Sequence, residues 1–162
     1  MLQSAPGLIP PGLSVRVEPA TIEDLPAVTG LVMELLGIQN DFTPDQAAQQ
    51  KGIRLILEEP SRGRIFVLRN DDRIIGMVNL LFTISTAVGG FVILMEDLIV
   101  HPEHRGQGYG SLLVEHVLEF AKQKNFRRIT LLTDKLSSQS QAFFKRHGFE
   151  FSHLIPMRRL ID

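Results

Sequence analysis

The chain contains no cysteine. That excludes disulfides, cysteine-ligated metal sites and any route through a cysteine-bound acyl group, and it is compatible with a cytoplasmic location. A charge excess is missing too: the formal net charge is −1, so no basic field recruits nucleic acid or an anionic membrane. No apolar run approaches the roughly 18 residues of a membrane span, and residues 1–12 lack the basic start and continuous apolar centre of a signal peptide. Tyrosine occurs once, as Tyr109. No internal repeat or low-complexity tract is present. What is there is a chain of 162 residues, 44% hydrophobic, enough for one domain with a true core and too short for two comfortable ones.

The most informative stretch is residues 95–110, M-E-D-L-I-V-H-P-E-H-R-G-Q-G-Y-G. It begins inside a strand expected over residues 91–100, apolar apart from Glu96 and Asp97, so two carboxylates interrupt a segment that otherwise reads as buried. Behind Arg105 come Gly106, Gly108 and Gly110, and then an amphipathic run, residues 111–124. Glycines there let the backbone turn sharply and approach a ligand, while the unpaired N–H groups and positive dipole end of a new helix favour an anion. A Walker loop is excluded because Gly110 is followed by Ser111 and Leu112, with no lysine. A dinucleotide-binding loop is nearly spelled by Gly106, Gly108 and Ser111, with Asp134 after the next strand. It fails on context, because the polar segment 101–105 separates strand from glycines and too little chain follows for further parallel units.

The spacing Arg105-x-x-Gly108-x-Gly110, behind an E-D-L-I-V strand, resembles the acetyl-CoA pyrophosphate loop of the GNAT superfamily of N-acetyltransferases. From about Val15 onward the chain can be laid on that plan: strand, loop, helix, a strand over residues 128–133, a short helix, then Gly148-Phe149. The resemblance implies an α/β (α+β) fold, with a mixed, mostly antiparallel sheet of about seven strands, flanking helices and one splayed parallel pair. It also implies an arm at residues 1–13 and one acetyltransferase domain over residues 14–162.

The individual elements follow from local signals. Residues 15–18 read as a strand, and Thr21 with Asp24 as a helix start; Leu25, Val28, Val32, Leu35 and Leu36 form one helical face ending near Gly37. Thr43 reads as the N-cap of a second helix, with Pro44 in its first turn and Ala47, Ala48, Ile53, Ile56 and Leu57 inward, stopping at Pro60. Strands over 65–69, 74–85 and 91–100 are joined by short turns and are therefore antiparallel. The helix after Gly110 buries Leu112, Leu113, Val117, Phe120 and Ala121, and the strand after it returns parallel. A last helix, capped near Ser137 or Ser138, runs to Arg146 with Gly148 as left-handed terminator, and residues 149–153 and 157–161 are expected to close the sheet as a hairpin.

Acetyl transfer to an amine needs a neutral amine, a polarised carbonyl and a departing thiolate. Glu96 is the first candidate base and Asp97 the second; they point to opposite faces of the strand unless a bulge intervenes. The resemblance assigns Leu98, Ile99 and Val100 to the thioester and pantetheine arm, by their backbone N–H groups. It assigns Arg105, Gly106, Gln107, Gly108, Tyr109, Gly110 and Ser111 to the pyrophosphate. Relatives often carry a tyrosine acid in the last helix where this chain has Phe144, so Ser138, Ser140 or water would take that role; Tyr109 packs inside the loop. His101 and His104 read as solvent-facing loop residues with no third metal ligand nearby, and no metal is expected.

The function implied is N-acetylation of a small-molecule primary amine by direct attack in a ternary complex, with acetyl-CoA as donor and neither nucleic acid nor membrane as partner. The alternatives are a non-catalytic acyl-CoA-binding module and, behind it, a dinucleotide-binding protein. The acceptor wall is expected around residues 34–42, 79–83 and 157–159; Glu34 and Asp41 suit a cationic amine, Arg158 and Arg159 a phosphorylated or carboxylated one. Such folds often pair, so a homodimer is consistent with the resemblance.

Overall fold

The computed structural model describes residues 14–39 and 41–161. The expected arm at 1–13 lies outside them, as does Asn40 of the expected acceptor corner. The chain divides into two compact units, one ending at Leu132 and the other beginning at Thr133.

The first unit is a five-stranded sheet in the order β1-β2-β3-β4-β5. Its strands are β1 (Val15–Pro19), β2 (Gly63–Asn70), β3 (Arg73–Ser85), β4 (Gly90–Val100) and β5 (Ile129–Leu131). The first three pairings are antiparallel and β4–β5 is parallel, as the short turns and the intervening helix α3 (Tyr109–Gln123) require. Asp71, at φ 52, makes the tight β2–β3 turn, a conformation Asp tolerates better than most side chains.

Two helices precede β2. After Thr21 one turn of 3-10 helix leads into α1 (Leu25–Ile38), and Thr21 and Asp24 form the expected capping box. Helix α2 (Gln46–Glu58) is capped by Asp45, whose carboxylate accepts the Ala48 N–H, and not by Thr43. Asp45 serves because a shorter carboxylate beside the first helical N–H groups also favours the positive dipole end. Ala47 and Ala48 are exposed, not inward; the buried stripe of α2 starts a turn later, with Ile53 fully inside and Ile56 and Leu57 half-buried.

Alternation along the strands sorts side chains between two layers. Ile65, Val67, Met77 and Ile99 pack with Leu25, Val28, Leu31 and Val32 of α1 and Ile53 of α2. On the other face Phe66 and Phe82 meet Phe120 of α3, with ring centroids 5.2 and 6.1 Å apart. Between strands β1 and β2 a charged cluster closes one edge of the α1 layer. Arg69 donates to Glu18 and, through Nη2, to both Asp24 carboxylate oxygens at 2.7 Å.

In the second unit α4 (Ser138–Arg146) begins after Ser137, whose hydroxyl accepts the Ser140 N–H, and Gly148 sits at φ 84. The hairpin expected over 149–153 and 157–161 is absent among the described residues, so the sheet has five strands and not about seven. The reason lies in the pattern. Phe151, Leu154, Ile155, Met157, Leu160 and Ile161 fall on both parities and are all exposed, so no single face is presented to a core.

Candidate active site

The β3–β4 ladder slips by one residue: Met77 pairs with Ile99, yet Asn79 pairs with Glu96. The extra residue lies in β4, where Asp97 adopts φ 51, a left-handed conformation rare for a non-glycine residue. The bulge is what the two carboxylates needed to share a neighbourhood. Glu96 stands directly opposite Asn79, and Asn79 follows Met77 by two along the face that carries α1 and α2. Asp97, turned by the bulge, accepts a hydrogen bond from Nδ2 of the same Asn79 at 3.2 Å.

Burial dominates the electrostatics here. It pushes the Glu96 carboxyl above its ordinary value, and the adjacent Asp97 charge pushes it further. Asp97 is also raised by burial, partly offset by the Asn79 amide. Asn79 is only 4% exposed, and its Oδ1 is buried without a protein partner.

Past this point β4 loses its neighbour on one side. The parallel ladder with β5 covers Ile93 to Met95 and ends at Met95↔Leu131, so among the described residues the β4 backbone from Glu96 to Val100, including Leu98 and Ile99, is unladdered on that edge. The expected parallel pair is thus present within the first unit, with a ladder of three residue pairs.

The glycine loop follows. A single 3-10 turn, Pro102–His104, is held by its own backbone, and Arg105 reaches back so that Nε donates to the Val100 carbonyl at 2.8 Å. Gly106 and Gly108 have φ 74 and 83, and a Cβ built on either meets nothing within 4 Å, so both left-handed residues border open space. Gly108 is the residue before α3, which starts at Tyr109, two positions earlier than expected. No side-chain cap closes that end, and Leu112 N–H bonds to Gly108 O; the first N–H groups of a helix carry its positive dipole end. Gln107 is exposed, Gly110 and Ser111 lie in the first turn of α3, and Tyr109 is buried, in keeping with a packing role.

His101 and His104 are half-buried rather than simply solvent-facing, and Glu103 between them completes a group whose ligand atoms lie within 4.8 Å of one another. The third member was missed in the sequence because it sits within the turn. Within the group, His101 Nδ1 accepts the Glu103 N–H at 3.3 Å, and the Glu103 carboxylate faces Arg73 at 3.6 Å.

A cleft of about 640 Å³ lies elsewhere on the first unit, lined among others by Glu34, Arg69, Asp72, Arg73 and His101. Glu34 is the one expected acceptor-wall residue in it. Neither Glu96 nor Asp97 lines it, so cleft volume alone does not identify the chemistry. In the second unit, Ser138 opens α4, and Phe144 packs its ring against Phe143 and Phe149 at 5.1 and 5.9 Å. Met157, Arg158 and Arg159 are exposed there.

Comparison with known proteins places the chain in a family. The chain is 29% identical to the aminoalkylphosphonate N-acetyltransferase of Salmonella typhimurium over 134 residues, covering 83% of this chain and 84% of that one. It is 29% identical to human N-acetyltransferase 8 over 90 residues, 55% of this chain and 40% of the relative. Among solved structures, an aminoglycoside N-acetyltransferase in complex with CoA superposes with a TM-score of 0.78 at 20% identity, over 94% of this chain and 99% of that one. The sequence profile described as the acetyltransferase (GNAT) family matches residues 32–149, and the chain belongs to that family, as an acyltransferase.

Proposed function

We propose that the protein transfers acetyl from acetyl-CoA to the primary amine of a small molecule by direct attack in a ternary complex. The observation that carries this reading is the β4 bulge, which brings Glu96 and Asp97 together where the β4–β5 ladder ends, a few residues before the glycine loop. The backbone of Gln107 to Gly110 and the guanidinium of Arg105 hold the pyrophosphate, helped by the positive end of α3. Backbone N–H groups from Leu98 to Val100 grip the thioester end.

In the reaction the amine nitrogen bonds to the thioester carbon, the carbonyl oxygen takes the negative charge, and Glu96 accepts the amine's proton directly or through water. The C–S bond then breaks and its electron pair leaves with sulfur. A thiol pKa of about 8.5 makes thiolate a tolerable leaving group without an acid, which suits a chain with phenylalanine at position 144. Aminoalkylphosphonates, named for the Salmonella relative, are small primary amines and are the acceptors to try first.

Release of free CoA thiol against a panel of aminoalkylphosphonates, polyamines, amino acids, amino-sugar phosphates and peptide N-termini tests the proposal. Because the chain has no cysteine, a thiol-reactive dye reports product alone. Amine-dependent release is expected, with turnover lower by about 10²–10⁴ in Glu96→Gln and acetyl-CoA binding kept. No release from any amine by folded protein would leave acyl-CoA binding without transfer, a reading that the missing tyrosine hydroxyl at Phe144 favours.

A further inference from the structure

Asn79 is an odd residue for its place. Its neighbours along the strand face and across to β2 are apolar, Met77 and Ile65, and one of its two polar atoms is buried without a protein partner. A buried orphan acceptor is costly, and an apolar side chain at 79 would remove that cost. The one bond the amide does make is to Asp97.

Asp97 in turn has an uneven partner in Glu96. Both are taken from water on the same face, but only Asp97 receives a donor; among the described residues no hydrogen bond or ion pair reaches the Glu96 carboxylate. When two like charges are crowded together, the one with the better donor ionises first and the other follows at higher pH. The other elements against β4 bring few charges to this face. Helix α1 has only Glu34, β5 has none, β3 has Arg73 at its far end, and Glu115, His116, Glu119 and Lys122 of α3 belong to the opposite layer.

We propose that Asn79 and Asp97 are positioning residues for Glu96: the amide keeps the Asp97 carboxylate ionised, and that fixed negative charge makes Glu96 the carboxylate that takes the proton of the attacking amine. The inference rests on the reading of Glu96 as base. It assigns the two acids different tasks and explains why a desolvated amide is retained between them.

The test is a ¹³C-detected carboxyl titration of the full chain as wild type, Asp97→Asn and Asn79→Val, with kcat/KM measured against pH alongside. In Asp97→Asn, which is isosteric and keeps a residue tolerant of φ 51, Glu96 should titrate about one pH unit lower. In Asn79→Val, Asp97 should titrate higher. The acid limb of kcat/KM should move down in the first variant, with a reduced kcat, and should stay or move down in the second, where a less ionised Asp97 repels Glu96 less. A merely structural role would lower kcat or Tm without these titration shifts. A Glu96 titration unmoved by Asp97→Asn overturns the proposal even if Asn79→Val does not fold, and an Asp97 titration unmoved in a folded Asn79→Val overturns the amide's part. The titration needs no turnover, so absence of thiol release in the wild type would count against the transferase reading alone.

Discussion

Replacing Gly108 with alanine separates two consequences of one backbone angle. At φ 83 the residue is left-handed, and a side chain there costs about 1–2 kcal/mol. No atom lies within 4 Å of the added Cβ, so no steric term joins the conformational one. For a chain of this size each kcal/mol moves Tm by about 2–4 °C, so the unliganded variant should melt roughly 2–8 °C lower. Acetyl-CoA at 100 times its Kd should stabilise the wild type by about 2.7 kcal/mol. In Gly108→Ala that gain should largely vanish, because the methyl group enters the open space before α3 that is proposed to take the pyrophosphate. Gly89→Ala is the matched control: φ 68, nothing within 4 Å of its Cβ, and a position in the β3–β4 turn. It should show the same loss without ligand and the full gain with it. Thermal melts of both variants with and without acetyl-CoA decide the matter. If Gly108→Ala gains as much as Gly89→Ala, the loop does not bind the donor through this backbone.

The other predictions concern the charges and one tight contact. Arg69→Met should destabilise by about 3 kcal/mol in urea unfolding, the low end of the range for breaking a buried pair, because Asp24 keeps its Thr21 N–H bond and Glu18 stays partly in water. Glu18 is lowered chiefly by Arg69, and Asp24 is lowered because Arg69 and Thr21 outweigh the upward push of burial. Stability from this pair is therefore present above their unfolded values and lost as pH falls through the folded ones; acid melts should show that loss in the wild type and a flatter profile in Arg69→Met. Glu96 and Asp97 work in the opposite sense: raised carboxyls stabilise below their unfolded values and lose that contribution as pH rises through the folded ones, so Glu96→Gln should melt no lower than wild type at pH 7. Gly63→Ala places a Cβ 2.6 Å from the Leu80 carbonyl oxygen and 3.1 Å from Ile56; the backbone cannot yield cheaply, and a loss of about 1–3 kcal/mol or more is expected by denaturant titration.

Elements of the first unit were legible because local signals and global packing agree there. Period-two strands joined by tight turns, and helices opened by Thr21 and closed before Pro60, each had one reading consistent with a single sheet. Residues 149–161 show the opposite case. Apolar residues of residues 149–161 resemble strand material one at a time, but they alternate on no common face, and the hairpin read into them does not form among the described residues. The cap of α2 failed more narrowly, since Thr43 and Asp45 are both good caps and only the geometry decides between them.

The carboxylates of the candidate site stand out in the sequence but their arrangement does not, and the reason is the register slip. Period two puts adjacent residues on opposite faces, so a sequence alone sends Glu96 and Asp97 apart. One extra residue in β4 reverses that result, and no glycine marks it; the left-handed residue is Asp97 itself. Backbone strain of this kind persists only where surrounding structure over-determines it, and here the determinants are the β3 ladder and, from the same strand, the Asn79 amide. The same cluster gathers a left-handed aspartate, an orphan amide oxygen and two carboxyls raised by burial, each unfavourable to folding. Their coincidence within a few residues of an edge that no strand pairs among the described residues is the physical argument for placing the proposed chemistry in this part of the sheet.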